Sequence, residues 1–155
     1  MLQRIQSVWL FLASVSLLAL FLFPYIQVLN ADGTGRAVKI SGIYENINGQ
    51  VVQTEAFTLL TIATVIIALL PLITIFFYTN RKRQIAMCYL SIFFILGYTF
   101  WLVQVAKQSI GEVNLALENY GLGVILPSLA ILFIILALRG IRRDEKLVRS
   151  ADRLR

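Results

Sequence analysis

The segment FTLLTIATVIIALLPLITIFFY, residues 57–78, contains no Asp, Glu, Lys or Arg. A helix that crosses the hydrocarbon core of a bilayer needs about 20 mainly apolar residues. Hydrophobic residues make up 59% of the whole chain and charged residues 14%, against about 45–50% and about 25% in soluble domains. A soluble domain of 155 residues could not bury this much apolar surface. The segment therefore predicts a membrane protein.

The rest of the chain repeats this pattern. Four segments without a charged residue predict transmembrane helices at residues 7–29, 56–78, 85–105 and 120–138. The predicted connections are an outer loop (30–55), a basic inner loop (79–84) and a second outer loop (106–119). A basic tail (139–155) follows the fourth segment. The predicted fold is a single all-α membrane domain over residues 1–155, an antiparallel bundle of four transmembrane helices.

The first segment is predicted to stay in the protein as a helix and not to be a cleaved signal peptide. Its apolar run is longer than the roughly 7–15 residues of a signal-peptide core. No A-x-A-like cleavage site follows it, because Leu29 stands where a small residue is required.

The basic residues predict the orientation, because Lys and Arg concentrate in cytoplasmic loops. Eleven of the 14 lie at the N-terminus, in loop 79–84 or in the tail, and only Arg36, Lys39 and Lys107 lie in the other two connections. This alternation predicts a multi-pass protein with both termini in the cytoplasm.

The outer loop 30–55 predicts a small extracytoplasmic β-hairpin or β-meander between the first two helices. Asp32-Gly33 and Asn48-Gly49 are turn signals, and the stretches AVKISGIYE (37–45) and QVVQT (50–54) are rich in β-branched residues. An Asn-Gly pair between such stretches is a strong hairpin signal. We expect two or three strands that pack on the helix ends, since an isolated hairpin is marginally stable. The second outer loop has apolar spacing that allows a helical turn or two.

Three prolines lie within the predicted spans, and each is expected to kink its helix: Pro24, Pro71 and Pro127. A proline inside a helix removes one backbone donor. The kinks have two interpretations, a hinge or cavity and the ordinary frequency of proline in membrane helices.

Thr61, Thr64 and Ala68 form a stripe of small residues on the second segment. Their spacing favours close helix packing and interhelical hydrogen bonds. A polar track for a solute is the alternative.

The tail predicts that the fourth helix continues past the membrane or bends onto it as an amphipathic segment. From Arg139 onward it carries seven basic and three acidic residues, and Leu147, Ala151 and Leu154 recur at helical spacing. Anionic lipid of the inner leaflet attracts such residues. The predicted contact residues for lipid, or alternatively for a protein partner, are Arg81, Lys82, Arg83, Arg142, Arg143, Lys146, Arg149 and Arg153. Nucleic acid is disfavoured because no aromatic residue interleaves the tail to stack on bases.

The opening MLQRIQSVWLFLA, the loop RKRQ and the closing RRDEKLVRSADRLR resemble an uncharacterised family of four-helix integral membrane proteins of Bacteroidota. Members of this family end in a D-E-x-L-V-x-S-x-D-R-L-R type tail. The resemblance covers the whole chain and implies a protein of the bacterial inner (cytoplasmic) membrane. The family is a domain of unknown function, so the resemblance implies no catalytic or binding residue.

Catalytic, cofactor and metal sites are not predicted. The chain has no His and one Cys, and Ser14, Ser91 and Ser128 have no base in the spans to activate them. An enzyme would need a group outside the spans, and the candidates are the outer acids Glu45, Glu55, Glu112 and Glu118. No cofactor is expected.

The chain is therefore predicted to be a non-catalytic accessory, assembly or envelope-organising protein. It is expected to contact a partner through the tail or the outer β loop. The alternative is a small-solute or lipid transporter or channel that uses a groove near Pro71 or Pro127. The oligomeric state stays open.

Overall fold

The computed structural model describes residues 2–29, 35–47, 50–110 and 119–152. Its helices are α1 (Leu2–Leu18), α2 (Thr58–Phe76), α3 (Arg81–Ile110) and α4 (Ile125–Asp152). Its strands are β1 (Ile26–Leu29), β2 (Gly35–Lys39), β3 (Gly42–Ile47) and β4 (Gln50–Ala56). Four helices with a small antiparallel sheet between the first two confirm the predicted combination of elements.

Three helical segments are long and apolar enough to cross a membrane: Thr58–Thr79, Arg81–Ser109 and Leu122–Val148. The apolar part of the first helix, Ile5–Phe21, is shorter. At about 1.5 Å per residue it is about 26 Å long, slightly less than the roughly 30 Å of a bilayer core.

The first helix ends earlier than the predicted segment 7–29. Helix α1 ends at Leu18, a 3-10 turn follows at Ala19–Phe21, and residues Ile26–Leu29 form strand β1. Pro24 lies between them and disfavours helical backbone at the residue before it. The apolar stretch after it pairs with β2, from Ile26 opposite Val38 to Leu29 opposite Gly35.

Helix α2 lies within its predicted segment 56–78, whereas α3 and α4 extend beyond theirs. Helix α3 includes most of the predicted basic inner loop at its start and residues 106–110 of the predicted outer loop at its end. Helix α4 begins at Ile125 and not at 120, and it continues into the predicted tail as far as Asp152. The predicted helix that runs past the apolar span is thus confirmed.

The sheet is a meander of four strands in the order β1-β2-β3-β4, all antiparallel. The expectation of two or three strands is therefore too low, because β1 had been assigned to the first helix. The predicted turn pairs Asp32-Gly33 and Asn48-Gly49 lie outside the described residues. A register shift leaves Thr54 as an extra residue in β4, between the partners of Ile43 and Tyr44.

The sheet rests on one end of the helices, which we call the sheet side; the opposite end, where α3 begins, is the tail side. The Phe57 amide donates to the Ser41 carbonyl at 3.1 Å, and the Thr61 hydroxyl donates to the Ile40 carbonyl at 3.3 Å. Gly42, at the start of β3, has φ 149°, and an added Cβ would lie 2.0 Å from the Glu55 carbonyl oxygen. Only glycine fits this turn.

Helix packing uses the predicted small-residue stripe. The closest helix pairs are α1 with α4 and α2, and α3 with α4 and α2. The Ser14 hydroxyl on α1 donates to the Ala68 carbonyl on α2 at 2.7 Å, and the hydroxyls of Thr64 and Tyr98 share a hydrogen bond of 2.5 Å between α2 and α3. Thr64 and Ala68 are both 1% exposed and lie in helix contacts, whereas Thr61, the third residue of the stripe, donates to the Ile40 carbonyl of the sheet region.

The prolines do not occupy equivalent positions. Pro71 is buried inside α2, which is continuous from Thr58 to Phe76. Pro127 is the third residue of α4, in the first turn, where an amide has no partner within the helix. The expected interior kink at Pro127 is therefore replaced by a helix start, and Pro24 lies beyond the end of α1.

Candidate functional site

The first basic cluster lies in the first turn of α3. Asn80 caps this helix: its side-chain oxygen accepts from the Arg83 amide at 3.3 Å. Lys82 and Arg83 are exposed, whereas the Arg81 Nη1 atom is buried and has no hydrogen-bond partner among the described residues. Three cations beside the positive end of the helix dipole oppose helix stability. Their joint effect is a strongly positive patch on the tail side.

The second basic cluster lies on α4. Arg142, Arg143 and Lys146 are exposed. The Arg142 guanidinium lies 5.3 Å from the centre of the Tyr89 ring and also donates to the Tyr89 hydroxyl. This contact joins α4 to α3 and places the two basic clusters on the same side of the molecule.

The two clusters can be placed along the helix axes. At about 1.5 Å per residue, Arg81 lies about 12 Å beyond Tyr89 and Lys146 about 6 Å beyond Arg142, both toward the tail side. Of the remaining predicted contact residues, Arg149 lies on α4 without a described side chain, and Arg153 lies outside the described residues.

Asp144 does not offer a cation site beside these arginines. Its Oδ2 accepts from the Nε2 of Gln6 on α1 at 2.7 Å, and Gln6 is only 5% exposed. Gly140 allows this approach, because an added Cβ would lie 2.9 Å from the Gln6 Cγ. The carboxylate therefore holds the start of α1 against α4.

On the sheet side, strand β4 is exposed at every residue from Gln50 to Ala56. Val51 is 70% exposed and Val52 46%, and the two side chains point to opposite faces because successive strand residues alternate. Within the described ranges, β4 pairs with β3 on one side and with no strand on the other. Sequence analysis placed QVVQT in a hairpin but gave no signal that it would be the exposed edge.

A surface groove of about 630 Å³ continues from the end of β4 to the sheet-side end of α3. Its walls include Glu55 and Phe57 on one side and Trp101 and Ser109 on the other. The groove extends the exposed surface of β4 toward the helices.

The charged residues of the sheet are mostly held within it. Arg36 on β2 forms an ion pair of 2.5 Å with Glu45 on β3, and the Lys39 ammonium lies 5.4 Å from the centre of the Tyr44 ring. Of the four outer acids, Glu45 is thus paired and Glu55 lies exposed on β4. Glu112 and Glu118 lie outside the described residues.

A small cleft of about 90 Å³ lies beside Pro127, between the sheet-side ends of α3 and α4. Its walls include Leu102, Ala106 and Lys107 on α3, and Tyr25 before β1. Tyr25 is 3% exposed, and its hydroxyl has no hydrogen-bond partner in the described chain. Burial, and the nearby Tyr98, raise the pKa of the Tyr25 phenol well above its usual value.

Two of the candidate serines act as structural donors. The Ser14 hydroxyl donates to Ala68 on the neighbouring helix, and the Ser91 hydroxyl donates to the Met87 carbonyl one turn back at 2.8 Å. Over the described residues, no group of three or more His, Cys, Asp or Glu side chains could hold a metal ion.

Comparison with known proteins gives one family match. The model of DUF4293, a domain of unknown function, matches residues 2–154. The match includes the basic loop and nearly all of both terminal stretches that carry the resemblance noted above. None of the curated proteins compared with the chain matches it.

Proposed function

The chain belongs to the DUF4293 family, whose function is not known, and we propose that it is a non-catalytic accessory, assembly or envelope-organising protein of the bacterial inner membrane. It acts by binding an extended polypeptide segment along β4. The basic tail side is a second contact surface, for anionic lipid or for a protein partner.

The proposed membrane placement has four spans and both termini in the cytoplasm. Helix α1 is included as a span because it exposes Val8, Phe11 and Val15, and large exposed apolar surfaces are unstable in water. Its apolar length of about 26 Å requires only slight thinning of the bilayer or tilting of its neighbours. The basic residues support the orientation, since eleven of 14 lie on the tail side by sequence position.

The observation that carries the proposal is the unpartnered edge of β4. In an antiparallel ladder, alternate residues of a strand bond to the neighbour, so half of the backbone groups of β4 point away from β3. Proteins usually block such an edge with Lys, Pro, a bulge or a very short strand. Strand β4 has seven residues without Lys or Pro, and its bulge at Thr54 lies near the helix end. An extended segment can therefore add a fifth strand.

The direction of β4 favours a different polypeptide as the partner. Strand β4 ends at Ala56, and α2 begins two residues later at Thr58. In two copies inserted in the same orientation, β4 leads directly into a membrane helix, which disfavours the full reversal of direction that antiparallel pairing of β4 with itself requires. Antiparallel pairing is slightly more stable per residue than parallel pairing.

The test is site-specific photocrosslinking in native membranes. A photoreactive residue in place of Gln53 is expected to capture a protein at a defined mass, and the same residue in place of Phe76, which is exposed on the tail-side end of α2, is expected to capture lipid. Capture of lipid alone from Gln53, at native expression, contradicts the proposal.

A second candidate function is lipid handling, the part of the transporter alternative that a specific observation favours. The cleft beside Pro127 is apolar apart from Tyr25, Thr99, Lys107 and Tyr120 at its walls, whereas Pro71 is buried in α2. The test is lipid transfer or scrambling in vesicles that contain the purified protein. The expected result is activity that falls when Ala106→Phe fills the cleft; equal rates in protein-free vesicles rule the candidate out.

A further inference from the structure

We propose that the cleft beside Pro127 is a binding site for one anionic phospholipid from the leaflet on the sheet side. A segment of an acyl chain enters the cleft, and the phosphate lies against Lys107. The site rests on the membrane placement proposed above and is independent of the partner of β4. It needs no transport activity.

The cleft is held open by backbone contacts. The Gly121 amide donates to the Tyr25 carbonyl at 3.0 Å, and the Gly123 amide donates to the Pro24 carbonyl at 3.1 Å. A Cβ on either glycine would lie within 3 Å of the Pro24 carbonyl oxygen, so the chain before α4 is fastened to the chain before β1. These contacts do not depend on side-chain rotamers, so they fix the backbone of the cleft wall that is formed by the chain before α4 and before β1.

The size of the cleft fits part of a chain and not a whole ligand. Drug-sized ligands occupy about 300–1,000 Å³, whereas this cleft has about 90 Å³, the volume of about three water molecules. Several carbons of an acyl chain fill it. The remainder of the lipid lies along the exposed apolar residues beside the entrance, Val103 on α3 and Val124 before α4.

The chemistry of the walls favours lipid over water. Apolar cavities stay dry or take up apolar groups, because water needs several polar partners there. Leu102 and Ala106 are buried walls, and at the depth of the helix ends the surrounding solvent is lipid. A phospholipid also brings ester carbonyl oxygens, which are the acceptors that the buried Tyr25 hydroxyl lacks in the described chain.

Lys107 supplies the charge for the headgroup. It lies one turn beyond Val103 on α3, is exposed, and has no carboxylate within ion-pair distance in the part of the chain described. A lysine at a helix end extends along apolar surface and keeps its ammonium at the level of the phosphates. Arg36 and Lys39, the other basic residues of the sheet side, are engaged by Glu45 and Tyr44.

The test is native mass spectrometry of the full-length protein in detergent, titrated with phosphatidylglycerol and, separately, with diacylglycerol of the same chains. We expect one phosphatidylglycerol to bind more tightly than the rest. Lys107→Gln should weaken it about fivefold, which is the ratio that about 1 kcal/mol per basic residue gives at 1.4 kcal/mol per tenfold. Diacylglycerol should bind Lys107→Gln and the unchanged protein equally.

Matched variants distinguish lipid binding in the cleft from lipid binding elsewhere on the protein surface. Ala106→Phe, which fills the cleft, should weaken both lipids at least tenfold, while Val105→Phe on the wall of the other groove should not. Lys39→Gln is the charge control and should change neither lipid.

The proposed lipid site is wrong if phosphatidylglycerol binds equally to the unchanged protein, to Ala106→Phe and to Lys107→Gln. If Ala106→Phe loses helical circular dichroism, the exposed Lys107→Gln variant decides alone. Because no variant alters β4, photocrosslinking from Gln53 reports separately on the proposed partner.

Discussion

Gln6 and Asp144 show how single residues join distant parts of the chain. They are 138 positions apart, and the hydrogen bond between them holds the start of α1 against α4. Two other single-residue contacts act in the same way: Arg142 with Tyr89 on the tail side and Gly121 with Tyr25 on the sheet side. Sequence analysis named Arg142 by its charge, but the partners of Arg142 and of Asp144 are set by the packing of the helices.

Replacing Gln6 with Ala should destabilise the protein by about 1.5–3 kcal/mol, the range for a hydrogen bond to a charged group. The substitution removes the buried amide and with it the hydrogen bond to the Asp144 carboxylate. Thermal unfolding in a fixed detergent measures the effect, with the exposed Gln108→Ala as the control. Asp144→Asn retains an acceptor, so it should lose less; equal melting of all three variants would show that the bond does not stabilise α1.

Gly121 and Gly97 make a matched pair for backbone approach. An added Cβ at Gly121 would lie 2.2 Å from the Pro24 carbonyl oxygen, whereas one at Gly97 on α3 would meet no heavy atom within 4 Å. Gly121→Ala should therefore cost about 1–3 kcal/mol through overpacking, and Gly97→Ala should be neutral or stabilising by up to about 1 kcal/mol. Denaturation monitored by circular dichroism compares the two, and an unchanged Gly121→Ala midpoint would contradict the close approach.

The secondary-structure elements differ in how many of their backbone hydrogen bonds and apolar side chains have a partner within the described chain. Helical backbone groups are paired within each helix except at the ends and at the carbonyl one turn before Pro71 in α2, whereas β4 has a partner on one side only in the described ranges. The tail-side part of α4 is only partly buried, because Ile141 is buried while Leu147 and Val148 are exposed. Exposed apolar residues thus occur beside the basic cluster of α4, a combination typical of helices that lie against a lipid surface.

Val52→Lys should abolish the photocrosslink from Gln53 without changing the fold. A lysine on an edge strand opposes pairing with a further strand, and Val52 is exposed, so its replacement should alter the free energy of unfolding by no more than about 0.5 kcal/mol. Crosslinking yield and thermal unfolding are measured together. Asn46→Lys, on the already paired strand β3, is the control and should leave the crosslink intact; a persistent crosslink in Val52→Lys would exclude strand addition.

At the scale of the whole molecule, charge separates the two ends. The tail side carries the first turn of α3 and the basic part of α4, and the sheet side carries Arg36, Lys39 and Lys107. Translocating the tail side across a bilayer would carry many more positive charges through the hydrocarbon core than translocating the sheet side. The charge distribution therefore gives the molecule one preferred orientation if it is inserted as proposed.

Cysteine labelling of intact cells tests that orientation. In a Cys88→Ala background, Gln53→Cys should react with a membrane-impermeant maleimide, and Lys82→Cys should react only after the membrane is permeabilised. The outer envelope has to be made permeable to the reagent for both variants. Labelling of Lys82→Cys in intact cells would invert the proposed topology.

Hydropathy and turn residues are local properties, and for that reason the amino-acid sequence by itself determined the apolar helices, the position of the sheet between the first two, and the charge difference between the two ends. The tertiary structure alone decided that Ile26–Leu29 pair with β2 and do not prolong α1, because apolar β-branched residues suit a lipid-facing helix and a strand alike until a partner such as Val38 is present. It likewise decided that Pro127 starts a helix beside a cleft and that β4 is the exposed edge, since both depend on which distant segments lie alongside.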